Sequence, residues 1–279
     1  MLMRSVFFLS DRTGITAETL GHSLLSQFDG FEWRKHHVSF LNTPAKVAAL
    51  SERIRQAAVE EGQPPLVFST LLDPGILAAV RQFNCHLFDF FEAHLGTLES
   101  ILQQPSVRIP GRSHGLGRDV SYFQRIAAIQ FALTHDDGVS GQLSDADIIV
   151  VGISRCGKTP VCVYLALQYG IRAANYPFTP EDMTTRTLPP LLEPLQAKLF
   201  GLTLNAERLH TIREERYPGS RYASLEQCQQ EINWQNDLYR SFAIPYIDSS
   251  SMSIEEISAV ILDQTKLVRR ERNIGLYLR

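Results

Sequence analysis

The sequence has few of the features that mark membrane proteins. Its apolar runs, such as VFFL and LPPLLEPL, are short or interrupted by proline and charge, so none predicts a segment that crosses a bilayer. The N-terminal stretch MLMRSVFFLSD has a short apolar core that ends before Asp11, and a signal peptide needs a longer one. We therefore expect a cytoplasmic protein without a membrane partner.

Patterns typical of disulfide, zinc and nucleic-acid proteins are also missing. The four cysteines, at positions 85, 156, 162 and 228, form no C-x-x-C pair, and none of the eight histidines belongs to an H-E-x-x-H motif. The net charge is −3, from 27 basic and 30 acidic residues, which argues against a broad surface for polyanions. We expect no disulfide framework, no zinc site and no nucleic-acid partner.

The first hundred residues alternate short apolar strands with amphipathic helices. The pattern predicts strands at 5–9, 36–41 and 65–70, and helices at 15–28, 45–62 and 73–83. Successive units of this kind indicate a parallel sheet with helices on both faces. The stretch 103–119 interrupts the pattern with two prolines and three glycines. It predicts a domain boundary, with an N-terminal α/β domain at 1–104 and a second domain at 105–279. Whether the stretch is a plain linker or a clamp for a protein target stays open.

The second half alternates again. It predicts helices at 120–138, 159–169, 205–216 and 223–242, strands at 147–151, 171–176, 198–204 and 244–248, and a last helix that begins after Ser253. Ser253 and Glu256 have the spacing of a capping box, which supports that helix start. The predicted fold class is therefore α/β in both domains.

A glycine loop lies between a strand and a helix of the second domain. Residues 152–159, GISRCGKT, fit the pattern G-x-x-x-x-G-K-[ST] at every position. Glycines at the ends of such a loop let backbone amides turn towards phosphate oxygens, Lys158 adds a positive charge, and Thr159 offers a hydroxyl to Mg²⁺. A chance turn is the alternative, but the strand before the loop and the apolar helix after it favour a nucleotide site in a domain that is similar to P-loop kinases.

Phosphoryl transfer also needs an acidic group, and the sequence offers three positions. Asp136 and Asp137 lie in an acidic turn after a predicted helix, and Asp11 and Asp248 each end a predicted strand. Asp248 also has the position of a helix cap. Composition and spacing do not choose among the three.

Arginines in the segment 202–218 form a second candidate group. Arg208, Arg213 and Arg216 lie on or near one predicted helix, where they would close over a nucleotide. Pairing on the helix surface with Glu207, Glu214 and Glu215 explains them equally well.

Several segments in order resemble one bacterial family. GISRCGKTP, YLALQYGIRAANYPF, KLFGLTLNAERLHTIREER and SRYASLEQC are similar to the regulatory proteins of phosphoenolpyruvate synthase and of pyruvate, phosphate dikinase, as are SDRTGITAETLGHSLLSQF and HDDG. The resemblance covers essentially the whole chain. It favours the branch that acts on phosphoenolpyruvate synthase, with the dikinase as the alternative target.

The resemblance implies a bifunctional enzyme. It would phosphorylate a threonine of phosphoenolpyruvate synthase with ADP as the donor, which inactivates the target, and would remove the phosphate with inorganic phosphate as the acceptor, releasing pyrophosphate. It also implies a homodimer and a role for Mg²⁺. The ADP preference rests on the resemblance alone.

The resemblance also assigns residues. The nucleotide loop becomes Gly152, Ile153, Ser154, Arg155, Cys156, Gly157, Lys158 and Thr159, with Thr159 on Mg²⁺. Asp136 and Asp137 become the pair that acts as base and orients the metal. Asp11, Thr13 and Thr16 would contact phosphate or the target, as Arg208 and Arg213 would on the grounds given above.

Two further classes of function remain. A small-molecule kinase would turn over a metabolite acceptor without a protein target, and a nucleotide-sensing module would bind nucleotide without consuming it. The N-terminal α/β half favours the protein kinase and phosphorylase, because a minimal metabolite kinase does not need it.

Overall fold

The computed structural model of the protein describes residues 2–110, 120–136 and 143–267. The chain divides into two compact units, Met1–Gly115 and Leu116–Arg279, so the first unit extends past the predicted boundary at residue 104. The first unit contains β1 (Leu2–Leu9), α1 (Ile15–Leu25), β2 (Phe31–Val38), α2 (Pro44–Glu61), β3 (Leu66–Ser69), α3 (Pro74–Val80), β4 (His86–Asp89) and α4 (Glu92–Leu102). The second contains α5 (Val120–Thr134), β5 (Ile148–Gly152), α6 (Lys158–Tyr169), β6 (Ala173–Pro177), β7 (Leu199–Thr203), α7 (Ala206–Glu214), α8 (Leu225–Ser241), β8 (Tyr246–Asp248) and α9 (Ile254–Thr265).

Both units are parallel α/β structures, which confirms the predicted fold class. The strand orders are β2-β1-β3-β4 and β6-β5-β7-β8, and every pairing is parallel. Helices cover both faces of each sheet, because strand side chains alternate between faces. In the first unit, Phe8 packs with α1 while Phe7 packs with α2 and α3.

Each sheet has a point where the connections diverge to opposite faces. In the second unit, α6, α7 and the first half of α8 pack on one face, while Leu238 and Tyr239 at the end of α8 pack on the other. In the first unit, α1 follows β1 on one face and α3 follows β3 on the other. Ligands of open α/β sheets bind at such points, outside the carboxyl ends of the strands. The glycine loop lies at this position in the second unit.

The helix start that the sequence marked with a capping box is confirmed, and two further helix boundaries lie at capping residues. The Asp73 side chain accepts from the Ile76 amide at the start of α3, Gly62 ends α2 with φ +67°, and Ser253 forms the capping box of α9. The predicted strand at 36–41 is wrong at both ends, since β2 begins at Phe31 and ends at Val38. β4 and α4 were not predicted.

No described helix combines the length and the apolar character that crossing a membrane requires.

Candidate active site

The glycine loop connects β5 to α6 through residues 153–157. Arg155 and Gly157 both have positive φ angles, +75° and +92°. Gly157 is the N-cap residue of α6 and supplies no side-chain cap, so the first amides of the helix stay available. The positive end of the helix therefore faces the loop, as an anion site requires.

Gly152 is required by packing instead of by its backbone angles. A Cβ atom there would lie 2.7 Å from Cys156 Sγ and 2.8 Å from the Leu202 carbonyl oxygen. No other residue fits, because the loop folds back onto the end of its own strand. The absence of a side chain at Gly152 thus allows both Cys156 of the loop and Leu202 of β7 to lie close to the end of β5.

Lys158 lies inside the loop. The residue is 5% exposed, and its Nζ donates to the Ile153 carbonyl oxygen at 2.8 Å. Within the described ranges, no carboxylate lies within ion-pair distance of this ammonium group. A buried positive charge whose acceptors, the Ile153 carbonyl oxygen and Cys156 Sγ at 3.9 Å, are both neutral favours an anionic ligand.

Thr159, Asp136 and Asn175 form a polar cluster beside the loop. The Thr159 hydroxyl donates to Asp136 Oδ1 at 2.7 Å, and Asn175 Nδ2 donates to the same oxygen at 2.5 Å. Asn175 Nδ2 is also 3.0 Å from Thr159 Oγ1, while Asn175 Oδ1 is buried without a hydrogen-bond partner in the described part of the chain. The cluster joins the acidic turn to the loop, although the two are far apart in sequence.

The position of Asp136 is set by its neighbours. The Asn175 amide of β6 donates to the His135 carbonyl oxygen at 3.1 Å, which ties the end of α5 to the sheet. The His135 ring stacks on Phe131, with ring centres 3.9 Å apart, and its Nδ1 lies 2.8 Å from the Phe131 carbonyl oxygen. Asp137 lies outside the described residues.

The other two acidic candidates are engaged elsewhere. Asp248 is exposed and accepts from the Ser250 amide at 2.8 Å and from its hydroxyl at 2.5 Å, so it organises the turn before α9. Asp11 belongs to the first unit, where its Oδ2 accepts from the Leu72 amide at 3.0 Å. Of the two candidates that the structure describes in the second unit, Asp136 is the one that contacts the glycine loop, through Thr159.

Arg213 supports the loop from within the protein. The side chain is fully buried, and NH2 donates to the Ser154 carbonyl oxygen at 3.1 Å and to Glu231 at 2.6 Å. Its guanidinium also lies over the Tyr222 ring, whose hydroxyl donates to Ser154 Oγ at 3.0 Å. Burial alone would lower the pKa of Arg213, but the hydrogen bond and charge of Glu231 outweigh it, so the pKa is raised. The surface pairing with Glu214 that we considered is wrong for Arg213.

The remaining sequence-predicted contacts belong to α7 and to the first unit. Arg208 is exposed in the first turn of α7. Thr13 and Thr16 belong to the first unit and line a crevice there together with Asp11. The loop residues from Gly152 to Thr159 are neighbours in the chain. The structure brings Asp136 to them through its hydrogen bond with the Thr159 hydroxyl.

Three supporting residues were not found from the sequence. Gln235 Oε1 accepts from the Ile153 amide at 3.0 Å, and its Nε2 donates to Thr203 Oγ1 at 3.0 Å. The Tyr239 hydroxyl lies 2.9 Å from the Val151 carbonyl oxygen. Asn175 is the third. The sequence does carry a signal that could have identified such residues, namely a polar side chain inside an apolar segment. Asn175 in its strand and the polar residues on the buried face of α8 have this pattern.

Cys156 is a packing residue of the loop. Burial raises the pKa of its thiol, although the nearby charge of Lys158 opposes this effect. The sulfur atom fills the space that Gly152 leaves. A protonated, enclosed thiol does not act as a nucleophile.

Comparison with known proteins places the chain in a family. The family described as kinase/pyrophosphorylase matches residues 6–262. The chain belongs to this family. Two relatives carry the name "Putative phosphoenolpyruvate synthase regulatory protein". The relative from Nitrosomonas europaea is 68% identical over 97% of this chain and 99% of its own length, and the relative from Laribacter hongkongensis is 48% identical over 96% and 98%.

The family agrees with the chemistry that the loop supports. It identifies the protein as a phosphotransferase enzyme, and the predicted resemblance is confirmed at the level of the family. The relatives' names specify neither the phosphoryl donor nor the residue that receives the group.

Proposed function

We propose that the chain transfers a phosphoryl group from ADP to a threonine hydroxyl of phosphoenolpyruvate synthase, and removes it again with inorganic phosphate. In the forward direction the bond between the β-phosphorus and its bridging oxygen breaks, the threonine oxygen bonds to phosphorus, and AMP leaves. In reverse, phosphate attacks phosphothreonine, and pyrophosphate and the free hydroxyl are formed. The names of the relatives support the target, and the family description supports the two directions.

One observation carries the proposal: the buried ammonium of Lys158 and the uncapped start of α6 meet at the end of β5. Lys158 would move from the Ile153 carbonyl to the nucleotide's terminal phosphate, which is a stronger acceptor because it is charged. The loop amides and this charge would then stabilise the transferred group.

Asp136 is suited to receive the proton of the attacking hydroxyl. Its Oδ1 accepts from Thr159 and Asn175, while Oδ2 makes no hydrogen bond with the described residues. The carboxylate is thereby oriented through one oxygen and available through the other. Asp137 remains the alternative base, since it adjoins Asp136 in the sequence.

The donor atoms of the cluster fit Mg²⁺. The ion prefers oxygen ligands and is usually held by one or two protein groups together with substrate phosphates. The Thr159 hydroxyl is such a group, and the amide oxygen of Asn175 is a buried acceptor that lacks a partner among the described residues. Thr159 would hold the ion together with the nucleotide phosphates, while Asp136 orients the Thr159 hydroxyl, and the ion would supply positive charge to the phosphates.

The decisive experiment traces a labelled phosphoryl group from the nucleotide to the residue that receives it. Purified protein is incubated with phosphoenolpyruvate synthase and either ADP labelled in its β-phosphate or ATP labelled in its γ-phosphate, and the labelled residue is mapped by mass spectrometry. We expect transfer from ADP to one threonine, and loss of transfer in Asp136→Asn. Asp263→Asn, which changes an exposed aspartate of α9 in the same unit, is the matched control. Transfer from ATP alone, or label on a metabolite without the target, would contradict the proposal.

The reverse direction is tested with the phosphorylated target. Addition of inorganic phosphate should release pyrophosphate and restore the unmodified threonine. Release of phosphate by water, with no pyrophosphate formed, would show an ordinary phosphatase and would contradict the second half of the proposal.

A further inference from the structure

The first unit has a small pocket on the face of its sheet that α2 covers. Its volume is about 180 Å³, and its lining comes from α2, from β1 and from the edge strand β2. The register of the two strands pairs Ser5 with Arg34 and Phe7 with His36, so these four side chains share one face. Arg53 of α2 also lines the pocket. The volume lies below the range of small-molecule sites, roughly 300–1,000 Å³, and suits an ion or the end group of a larger ligand.

The Phe7 ring contacts two basic side chains of the pocket. The His36 ring stacks on it, with ring centres 4.4 Å apart, and the Arg53 guanidinium carbon lies 5.7 Å from the Phe7 ring centre. The face of an aromatic ring attracts a cation, but it does not neutralise the charge. Within residues 2–110, no carboxylate lies within ion-pair distance of Arg53.

The two carboxylates beside the pocket already have cationic partners. Glu60 lies 3.2 Å from Arg34, and Glu61 lies 3.5 Å from Arg4. The uncompensated charge at the pocket is therefore that of Arg53, and the pocket favours an anion. A guanidinium group presents parallel N–H donors that match two oxygens of a phosphate or sulfate ion.

Ser5 brings a buried hydroxyl to the same pocket. The residue is fully buried, and its Oγ lies 3.4 Å from His36 Nε2. Hydrogen bonds between nitrogen and oxygen usually measure about 2.7–3.2 Å, so this contact is weak. An oxyanion is a stronger acceptor for such a hydroxyl because it is charged.

The protonation of His36 depends on the charge at the pocket. Burial lowers the pKa of its ring most, and the positive charges of Arg53 and Arg34 lower it further. The charged and titratable groups that face the ring are Arg34 and His37 of its own strand and Arg53 and Glu61 of α2, of which Glu61 raises the pKa. An anion beside Arg53 would favour the protonated ring, which donates from both nitrogens. The anion and the proton would then strengthen each other's binding.

We propose that this pocket binds a tetrahedral oxyanion, namely free inorganic phosphate or sulfate or the phosphate group of a larger ligand. Arg53 donates to two oxygens of the anion, and the Ser5 hydroxyl and the protonated His36 ring donate to the others. The pocket lies on the face of the sheet opposite α1, and none of its lining residues belongs to the glycine loop. The inference stands independently of the proposed transfer reaction.

The test uses the full chain with 13C-labelled histidine, and NMR follows the ring signals of His36 during titration with sulfate. His36→Asn identifies these signals, and a reporter in the pocket separates this site from anions bound at the glycine loop. Sulfate keeps its charge over the pH range of the experiment, whereas phosphate changes its own. Arg53→Gln removes the uncompensated guanidinium. Arg55→Gln is its matched control, since Arg55 is exposed on the same helix and does not line the pocket.

We expect saturable shifts of the His36 signals and a sulfate affinity that is about tenfold weaker in Arg53→Gln, the effect of losing a hydrogen bond between charged groups. The affinity should be unchanged in Arg55→Gln. It should fall as the pH rises through the pKa of His36, and bound sulfate should raise that pKa. Acetate should bind more weakly than sulfate, because it is planar and carries a single charge.

Shifts that do not saturate, equal effects of the two arginine variants, or a His36 pKa that sulfate leaves unchanged would overturn the proposal. Acetate that binds as tightly as sulfate would overturn its tetrahedral part. Inorganic phosphate and ethyl phosphate then distinguish the two sources of the anion. An ester that binds as tightly as the free ion assigns the pocket to the phosphate group of a larger ligand, and a weaker ester assigns it to the free ion.

Discussion

At the scale of residues, the glycine loop is held by contacts that come from distant parts of the second unit. Gln235 holds the Ile153 amide, Arg213 holds the Ser154 carbonyl, and Tyr239 lies against the strand end. The first two contacts join a loop backbone group to a side chain of α7 or α8, and the third joins the strand before the loop to α8. The loop is therefore preorganised, so that little conformational entropy is lost when a phosphate binds.

The motif itself was predictable because it is local. Glycine, lysine and threonine at fixed spacing determine how one turn behaves, and the structure places Gly157 and Lys158 as that spacing requires. Asn175 was not predictable, because its role depends on β6 lying beside β5 and on α5 ending at Asp136. Such contacts come from the topology, which the spacing of residues does not encode.

Asn175→Ala tests the polar cluster. The variant removes the group that orients Asp136 and Thr159 but leaves the phosphate-binding amides in place. We expect kcat to fall by about 10- to 100-fold, the effect of losing one or two hydrogen bonds to a charged group, while the affinity for ADP changes much less. Steady-state kinetics and calorimetry measure the two effects. Asn233→Ala, exposed on α8, is the control. Equal losses in kcat and in ADP affinity would contradict an orienting role.

The thiols offer a second test. Burial raises the pKa of Cys156, Cys162 and Cys228, so at pH 8 they should be protonated and slow to react. Titration with a chromogenic disulfide reagent should show slow labelling of the native protein and rapid labelling of four thiols in denaturant. Fast labelling of native Cys156 would contradict its packing role.

At the scale of elements, the sequence predicted buried strands better than edge strands. β5 is a continuous apolar run in which every residue is buried, and the second half of β1, residues 6–9, is another. Both strands were found, although β1 begins three residues before the predicted strand at 5–9. β2 is an edge strand, and its first half alternates apolar Phe31 and Trp33 with charged Glu32 and Arg34, a short period-2 signal that the sequence interpretation missed. β4 is an edge strand of four residues, His86–Asp89, too short for a clear period.

The helix α5 shows another limit of pattern analysis. Helical spacing places Leu133 on one apolar face with Ile126 and Ile129, yet Leu133 is 60% exposed, whereas the buried positions are Ala128 and Ala132. Small side chains let α5 approach α6 closely, and hydropathy does not mark small residues strongly. The buried face of a helix depends on the space its neighbour leaves.

Contact between β7 and α8 gives a prediction for stability. A Cβ at Gly201 would lie 2.6 Å from the Tyr239 ring, so Gly201→Ala should destabilise the second unit by roughly 1–3 kcal/mol. In a Tyr239→Leu background the ring is gone, and the same substitution should cost much less. Urea denaturation of the four proteins of this double-mutant cycle measures the coupling. Additive effects would show that the ring does not set the closeness of the two elements.

At the scale of the whole molecule, two parallel α/β units repeat one arrangement. Each has a turn after its first strand that ends in a glycine with positive φ, Gly14 in one and Gly157 in the other. The sequence predicted the α/β class of both units because strands and helices alternate throughout. The C-terminal boundary of the first unit was harder to predict than its fold class. Residues 106–109 lie outside the alternation of strands and helices, but they line the crevice of this unit.

The central claim is that the loop at 152–159 binds nucleotide phosphates through Lys158, and isothermal titration with ADP tests it most directly. We expect Lys158→Met to bind ADP about 10- to 100-fold more weakly, since a buried hydrogen bond to a charged group is lost, and Lys266→Met to bind like the unmodified chain. Undiminished affinity of Lys158→Met for ADP would contradict the claim.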